Sequence, residues 1–140
     1  MNDPDAVHLT LDLTRTWLRE IGERLGSHDP RDAWAALRVV LHAFRDQVPD
    51  NEGAQLAAQL PLLVRGLWYE GYKPNRMRRA LHRADYLDRV QRDLDAIRPL
   101  EASTANHAVM SVLARHVSPG ELRDLHGVLP EELQSVMSPA

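Results

Sequence analysis

Histidine and serine are the side chains through which this chain could bind a transition metal or attack an electrophile, because it contains no cysteine. A helical zinc or di-iron site needs ligands paired as HxxxH, HExxH or ExxH, and none of these pairs occurs. Asp5 and His8 have this spacing with aspartate, close to the N-terminus. No serine lies in a GxSxG turn. We therefore expect no metal site and no catalytic residue, and seven dispersed surface histidines: His8, His28, His42, His82, His107, His116 and His126.

Phosphate-binding loops are absent as well, since the sequence has no GxGxxG or Walker pattern. Carboxylates recur as helical ladders, in which Asp85, Arg89 and Asp93 are spaced by four residues, as are Asp88 and Arg92. Such ladders are typical of a solvated helix face, and we expect carboxylate pairs only there. The sequence thus predicts no cofactor and a protein that is not an enzyme.

The overall composition narrows the class of protein further. No apolar run approaches the ~20 residues of a membrane span, and the N-terminus MNDPDAVHLT does not resemble a basic and then apolar signal peptide. The formal net charge of −3 argues against a general nucleic-acid binder. We expect a cytoplasmic protein without a membrane segment.

An internal repeat organises the chain. The most apolar stretch, LPLLVRGLWYEG at 60–71, begins with a Leu-Pro pair that recurs at 129–130, and we call the step between the two pairs the repeat offset. The same offset aligns Ile21 with Val90 and Phe44 with Leu113 without a gap. We predict an all-α protein, a tandem duplication of a four-helix unit packed as one compact helical bundle. Its parts are an N-terminal tail (1–9), a first repeat (10–72), a basic linker (73–78) and a second repeat (79–138).

Each unit has the spacing of four amphipathic helices. The first helices bury residues at intervals of three, four and seven, ending at Leu25 and Ile97. The second helices have heptad-like positions that begin with Trp34 in one unit and with Ser103 and Asn106 in the other. The two polar residues suggest an exposed helix end, or a residue that fixes register in a partner contact. The third helices (50–59 and 119–127) end at the Leu-Pro pairs, because the residue before proline disfavours the α conformation.

The fourth helix of the first unit is the candidate functional element. It is apolar nearly all round, which indicates either burial between the two units or an exposed partner surface. The residues of that surface would be Leu62, Trp68, Tyr69 and Tyr72. Arg65 lies within the apolar run, and a buried arginine needs a carboxylate or carbonyl partner. We expect a structural ion pair or a side chain whose head group reaches solvent, with anion binding as the alternative.

A basic segment follows at 73–83 and contains no acidic residue. Its cations and the neighbouring tyrosines could hold phosphate or nucleic acid, whereas a solvated linker is the simpler interpretation. The cations considered for binding are Lys73, Arg76, Arg78 and Arg79.

Three stretches resemble the family called domain of unknown function 2267: AWAALRVVLHAFRDQVP, QLAAQLPLLVRGLWYEGYKP and AVMSVLARHVSPGELRDLHGVLPEEL. The resemblance covers about 10–137 and is most specific at 58–71. It implies a small helical bacterial protein made of duplicated units, and it brings no activity, cofactor or catalytic residue. It places Arg65, Gly66, Tyr69, Glu70 and Gly71 in the family's signature segment.

From the residues and this resemblance we expect a non-enzymatic module that binds a protein partner or self-associates. The binding surface is predicted around 62–69 and the basic segment. The alternative is a weak nucleic-acid or phosphate-ligand binder that uses 73–83.

Overall fold

The computed structural model describes residues 3–74 and 80–137, and all regular structure in these residues is helical. The predicted all-α class is therefore confirmed for this part of the chain. Seven α-helices precede a C-terminal 3-10 helix in the described residues. Their bounds are α1 Asp5–Leu25, α2 Pro30–Arg45, α3 Asp50–Ala57, α4 Leu62–Tyr69, α5 Arg83–Asp95, α6 Ala102–His116, α7 Pro119–Val128 and the 3-10 helix Glu131–Met137.

Capping side chains and prolines set the starts of α2 and α7. Asp29 accepts a hydrogen bond of 2.9 Å from the first turn of α2, and Pro30 is the first helical residue. Ser118 accepts a hydrogen bond of 3.3 Å from the Glu121 amide, and Pro119 begins α7. Both prolines occupy the position where a missing amide N–H costs nothing. A capping residue followed by proline is legible in the sequence at both places, as Asp29-Pro30 and as Ser118-Pro119.

The two Leu-Pro pairs form corners between helices. Leu60 and Pro61 separate α3 from α4, and Leu129 and Pro130 separate α7 from the 3-10 helix. The two leucines are only 2% and 4% exposed, so each corner is fixed by a side chain in the core. Their predicted role as corner residues is confirmed.

One continuous core joins all eight elements. Helix α2 packs against α1, α4, α5 and α6, and α6 packs against α1, α2, α5 and the 3-10 helix. The buried apolar residues of the two predicted repeats form a single cluster. Its largest fully buried side chains are Trp17, Phe44, Trp68 and Tyr86.

A buried ion pair also connects α2 to α5. Asp46 accepts hydrogen bonds from Arg45 at 3.1 Å and from Arg89 at 2.7 Å, and it is 7% exposed. Burial alone would raise the pKa of Asp46, but the hydrogen bonds from Arg89 and Arg45 outweigh it and lower this pKa. The carboxylate therefore stays charged inside the protein.

Two predicted core residues lie at the surface instead. Trp34 is 38% exposed and Ile97 is 47% exposed. Ala33 and Leu37 form the buried side of α2 at this level, and Trp34 lies about 100° around the helix from Ala33. Ile97 follows the end of α5 at Asp95 and is no longer on the helical face.

Asn106 is buried, and the expectation of an exposed helix end or partner contact there is wrong. It is 6% exposed, accepts a 2.7 Å hydrogen bond from the Tyr86 hydroxyl and donates one of 3.0 Å to the Val136 carbonyl. The side chain thus links α6 to α5 and to the 3-10 helix. Its polar atoms are satisfied by neighbours that the heptad pattern does not reveal.

Helix α1 begins at Asp5 and so includes residues 5–9, which the sequence placed in an N-terminal tail. It ends at Leu25 and is followed by Gly26, whose φ of 71° is the left-handed conformation common after helix C-termini. Each helix within 3–74 and 80–137 is too short or too polar to cross a bilayer.

Candidate interaction surface

Arg65 holds the end of α3 against α4. Its guanidinium donates to the carbonyl oxygens of Ala57 at 2.9 Å, Ala58 at 3.3 Å and Leu60 at 3.2 Å. The last carbonyls of a helix lack partners within the helix, and they carry a partial negative charge that favours a cation. The partners are therefore carbonyl oxygens, one of the two kinds of partner that the sequence led us to expect for a buried arginine.

The other end of α4 is bound by side chains of α2. The His42 imidazole Nε2 lies 2.7 Å from the Leu67 carbonyl oxygen. Arg45 donates to the carbonyl oxygens of Trp68 at 2.9 Å and Glu70 at 2.6 Å. Since Arg45 is 6% exposed, these bonds replace the water it would otherwise bind. Together these contacts cap the C-terminus of α4 from outside the helix.

The signature residues after α4 complete this attachment. The Glu70 carboxylate pairs with Arg38 at 2.6 Å and lies 3.7 Å from His42. Burial lowers the pKa of His42, and the hydrogen bond with Leu67 opposes that shift only in part. Gly71 has a φ of 69°, a left-handed conformation that side chains rarely adopt. Much of the signature segment therefore has a structural role.

Trp68 is 1% exposed and cannot form part of an exposed surface. Its ring lies edge-on to Phe44, with ring centroids 6.4 Å apart. A Cβ atom added to Gly53 would lie 3.1 Å from the Trp68 ring, so the absence of a side chain in α3 makes room for it. The prediction that Trp68 contacts a partner is wrong for this structure, because α2 and α3 enclose the ring.

The outer side of α4 is exposed. Leu62 is 60% exposed, Leu63 42% and Tyr69 40%. The Tyr69 and Tyr72 rings meet edge to face with centroids 5.4 Å apart, and Lys73 is exposed beyond them. Among the predicted partner-binding residues, Leu62, Tyr69 and Lys73 are thus accessible.

Helix α1, which contacts α4, carries two further exposed leucines. The Leu63 amide donates a 3.2 Å hydrogen bond to Thr10 Oγ1, which fixes the start of α4 on α1. Leu9, adjacent to Thr10, is 59% exposed, and Leu13, one turn later, is 40% exposed. We refer to Leu9, Leu13, Leu62 and Leu63 as the leucine patch. The sequence did not single out these two residues: Leu9 lay in the predicted tail (1–9), and Leu13 lay in the predicted first helix, where helical spacing alone did not show that it is exposed.

The structure describes only part of the basic segment. Arg76, Arg78 and Arg79 lie in 75–79, outside the described residues. Beyond that gap, His82 pairs with Glu132, and Arg83 donates a 2.6 Å hydrogen bond to Ser135. These two side chains therefore contact the 3-10 helix.

Another exposed apolar region lies where α1, α2 and the end of α5 meet. Leu18, Pro30, Trp34 and Ile97 line a groove of about 420 Å³. Arg98 crosses one side of it and is bound to Asp29 and Asp32. Because Trp34 is exposed there, this groove is a second exposed apolar surface with which the leucine patch can be compared.

An acidic cluster connects α3 and α7, which contradicts the expectation that carboxylate pairs occur only in surface ladders. Glu52 and Glu121 are 8% and 6% exposed, and each has one oxygen without a hydrogen-bond partner. Burial, followed by the hydrogen bond and negative charge of Glu52, raises the pKa of Glu121 to about 7. The two glutamates are separated by the repeat offset, so the predicted repeat was a signal that could have identified the pair.

Comparison with known proteins identifies the family of this chain. A family model described as "Uncharacterized conserved protein (DUF2267)" matches residues 14–136, most of the chain. Comparison with curated proteins found no match. The matched range includes α4 and the residues that hold both of its ends. The resemblance seen in the sequence is confirmed, and the chain belongs to the DUF2267 family of uncharacterized conserved proteins.

Proposed function

We propose that this protein is a non-enzymatic interaction module whose leucine patch binds another protein chain, in the first instance a second copy of itself. One observation carries the proposal. Leu62 and Leu63 are exposed on α4, whereas the repeat offset aligns them with Glu131 and Glu132.

These glutamates indicate whether the fold needs an apolar residue at the positions of Leu62 and Leu63. Glu131 and Glu132 are exposed on the 3-10 helix, which follows its own Leu-Pro corner as α4 does. A charged residue is therefore compatible with this position of the fold. Leu62 is 60% exposed and contributes little buried area to the monomer. Covering exposed apolar surface gains about 25 cal/mol per Å², which supports a role in binding.

Self-association is the simplest use of such a surface. A twofold interface places the same patch of each copy face to face, and it requires a patch that is complementary to itself. Four uncharged leucines meet that requirement, because they repel neither each other nor their copies. The neighbouring ion pair of Arg15 with Asp12 at 3.8 Å is neutral overall and lies on α1 near the patch.

The non-enzymatic part of the proposal is supported by the contacts of the reactive side chains. His42 and Arg45 bind carbonyl oxygens of the α4 segment, and Arg65 binds those of α3 and the corner after it. His116 lies 2.6 Å from Glu20 and stacks on Trp17 with ring centroids 5.2 Å apart. These side chains stabilise packing between helices.

We also infer that the chain is a tandem duplication of a four-helix unit, from a bacterial and cytoplasmic protein. The starts of α3 and α7, at 50 and 119, are separated by the repeat offset, as are those of α4 and the 3-10 helix, at 62 and 131. Phe44 and Leu113 are 1% and 3% exposed, and Ile21 and Val90 are both 0% exposed. These matched bounds and burials support a repeated unit.

The proposal is tested by measuring molar mass with light scattering over a dilution series. The wild-type protein should form a dimer that dissociates on dilution. The double variant Leu62→Glu with Leu63→Glu should be monomeric, with an unchanged circular dichroism spectrum. Ile97→Glu is the matched control, because Ile97 is 47% exposed but lies in the other groove. A monomeric wild type, or equal dissociation of both variants, would contradict binding through the leucine patch.

Salt dependence separates this proposal from the nucleic-acid alternative, which stays a prediction. Binding through Lys73, Arg76, Arg78 and Arg79 would release counterions and weaken by orders of magnitude over a few-fold increase in salt. Association through leucines should change little over the same range. Titration of a labelled oligonucleotide in parallel with the light scattering distinguishes the two.

A further inference from the structure

Two buried carboxylates and one exposed carboxylate converge where α3 packs on α7. Glu52 lies in the first turn of α3, Glu121 lies in the first turn of α7, and Asp124 follows one turn later. One carboxylate oxygen from each residue can be chosen so that all three lie within 4.8 Å of one another. Ca²⁺ binds oxygen at about 2.3–2.6 Å, so two of its ligands can be up to about 5 Å apart. A single ion can therefore contact all three residues.

A second observation does not depend on how the three residues are spaced: the buried oxygens of this cluster lack hydrogen-bond partners. Glu52 Oε1 and Glu121 Oε1 are inaccessible to solvent, and neither has a hydrogen-bond partner among the described residues. Their side chains are more than nine-tenths buried, at 8% and 6% exposure. A buried carboxylate oxygen without a partner is unfavourable, and a second carboxylate beside it adds repulsion when both are ionised. A cation between the two would offset both effects.

The local sequence explains why neither glutamate accepts a backbone hydrogen bond at the start of its helix. Each occupies the third helical position, where a glutamate normally accepts a hydrogen bond from the amide of the residue that precedes the helix. In α3 that residue is Pro49, which has no amide N–H. In α7 it is Ser118, whose amide instead donates to Gln59 Oε1 at 2.8 Å. Neither glutamate can form the usual capping bond.

The ligand chemistry selects the class of cation. Three carboxylates and no imidazole favour hard, oxygen-preferring ions over zinc or copper. Asp124 is exposed, so water can complete the coordination sphere from that side. Each helix N-terminus contributes a partial positive charge of roughly half a unit. Three ionised carboxylates carry more negative charge than the two N-termini offset, so the cluster remains negative.

We propose that Glu52, Glu121 and Asp124 bind one divalent cation of the Ca²⁺, Mg²⁺ or Mn²⁺ class. The ion bridges α3 and α7 and so joins the two predicted repeats at a contact separate from the leucine patch. Its binding stabilises the folded chain, because the unfolded chain does not bring the three residues together.

Thermal unfolding of chelator-treated full-length protein tests the site directly. CaCl₂, MgCl₂ and MnCl₂ are added separately, at a pH above neutrality and against NaCl of matched ionic strength. At a hundredfold excess over the Kd, one of the three should raise the Tm by roughly 5–10 °C. Glu52→Gln and Glu121→Gln should abolish that shift without lowering the Tm of the cation-free protein, since each removes one buried charge.

Glu131→Gln is the matched control, because it removes one exposed carboxylate outside the cluster and should retain the full shift. Asp124→Asn changes only an exposed side chain, so its fold should be intact even where a glutamine variant fails to fold. It should weaken binding of Mn²⁺ about tenfold by calorimetry or electron paramagnetic resonance, a loss typical of one contributing group. An unchanged wild-type Tm with all three cations would overturn the proposal. Cation-induced Tm shifts in the cluster variants as large as that of the wild type would overturn it as well.

Discussion

The segments after the two Leu-Pro corners share a buried side and differ on the exposed side. Val64 and Leu133, which the repeat offset aligns, are both 0% exposed. Leu62–Tyr69 is nevertheless an α-helix, whereas Glu131–Met137 is a 3-10 helix. The same anchoring in the core thus supports two backbone conformations and two kinds of surface.

The difference lies in what holds the ends of each segment. Arg65 and Arg45 bind helix carbonyls in the first half, and their counterparts by the repeat offset are Gln134 and Ala114. Neither of these can supply a guanidinium. The comparison teaches that buried apolar residues place both segments in the core, whereas the basic side chains at the segment ends and the residues at the outer positions differ between the two halves.

Removing the largest buried side chain of α4 should have the largest effect on this comparison. Trp68→Ala should lower the free energy of unfolding by about 3–5 kcal/mol, because it leaves a cavity between Phe44 and Gly53. Met137, its counterpart by the repeat, is only partly buried, so Met137→Ala should cost less. Urea denaturation monitored by circular dichroism measures both. Equal losses would show that the two segments are anchored alike.

Removing the hydrogen bonds of Arg65 to the end of α3 should have an intermediate effect. Arg65→Met keeps an apolar stem but loses the hydrogen bonds to three carbonyls, which should cost about 1–3 kcal/mol of unfolding free energy. The matched variant at the counterpart position, Gln134→Ala, should stay within about 0.5 kcal/mol of the wild type. Urea denaturation again provides the measurement. If Gln134→Ala lowered the unfolding free energy as much as Arg65→Met, the Arg65 hydrogen bonds would not distinguish the two segments.

Acidification should destabilise the first half through His42. Burial lowers the pKa of His42 below its usual value of 6.5. Below that value the unfolded chain binds a proton that the folded chain does not, so stability falls as the pH drops from 6.5 through the folded pKa. His42→Gln should flatten this fall in urea midpoints. Ser111→Ala, at the counterpart position, should leave it unchanged, and a flattened profile in that variant would contradict the assignment.

Local signals predicted most of the fold. Helical spacing, proline positions and capping residues indicated the α-helices, the starts of α2 and α7 and both corners. The errors at Trp34 and Ile97 arose where a helix begins or ends, because periodicity does not say which residues the neighbouring elements cover there. Asn106 was misjudged because its partners Tyr86 and Val136 come from other elements.

The candidate sites were harder to predict, because they depend on contacts between distant residues. Arg38, His42 and Arg45 contact residues about 23–32 positions away, and no motif records such pairs. The outward direction of Leu62 and the inward direction of Trp68 follow from how α4 lies on α1, α2 and α3. The sequence showed an unusual helix, and only tertiary packing divided it into buried and exposed sides.

In our proposal, the outer side of α4 binds a second chain, whereas its inner side serves only the fold. Because the chain has no cysteine, Leu62→Cys introduces a unique thiol there, and Ile97→Cys introduces one in the other groove. Mild oxidation followed by non-reducing electrophoresis should yield a covalent dimer from Leu62→Cys, abolished by dilution below the dissociation constant. Ile97→Cys should remain monomeric under the same conditions. Equal cross-linking of the two variants, or none from Leu62→Cys, would contradict the claim.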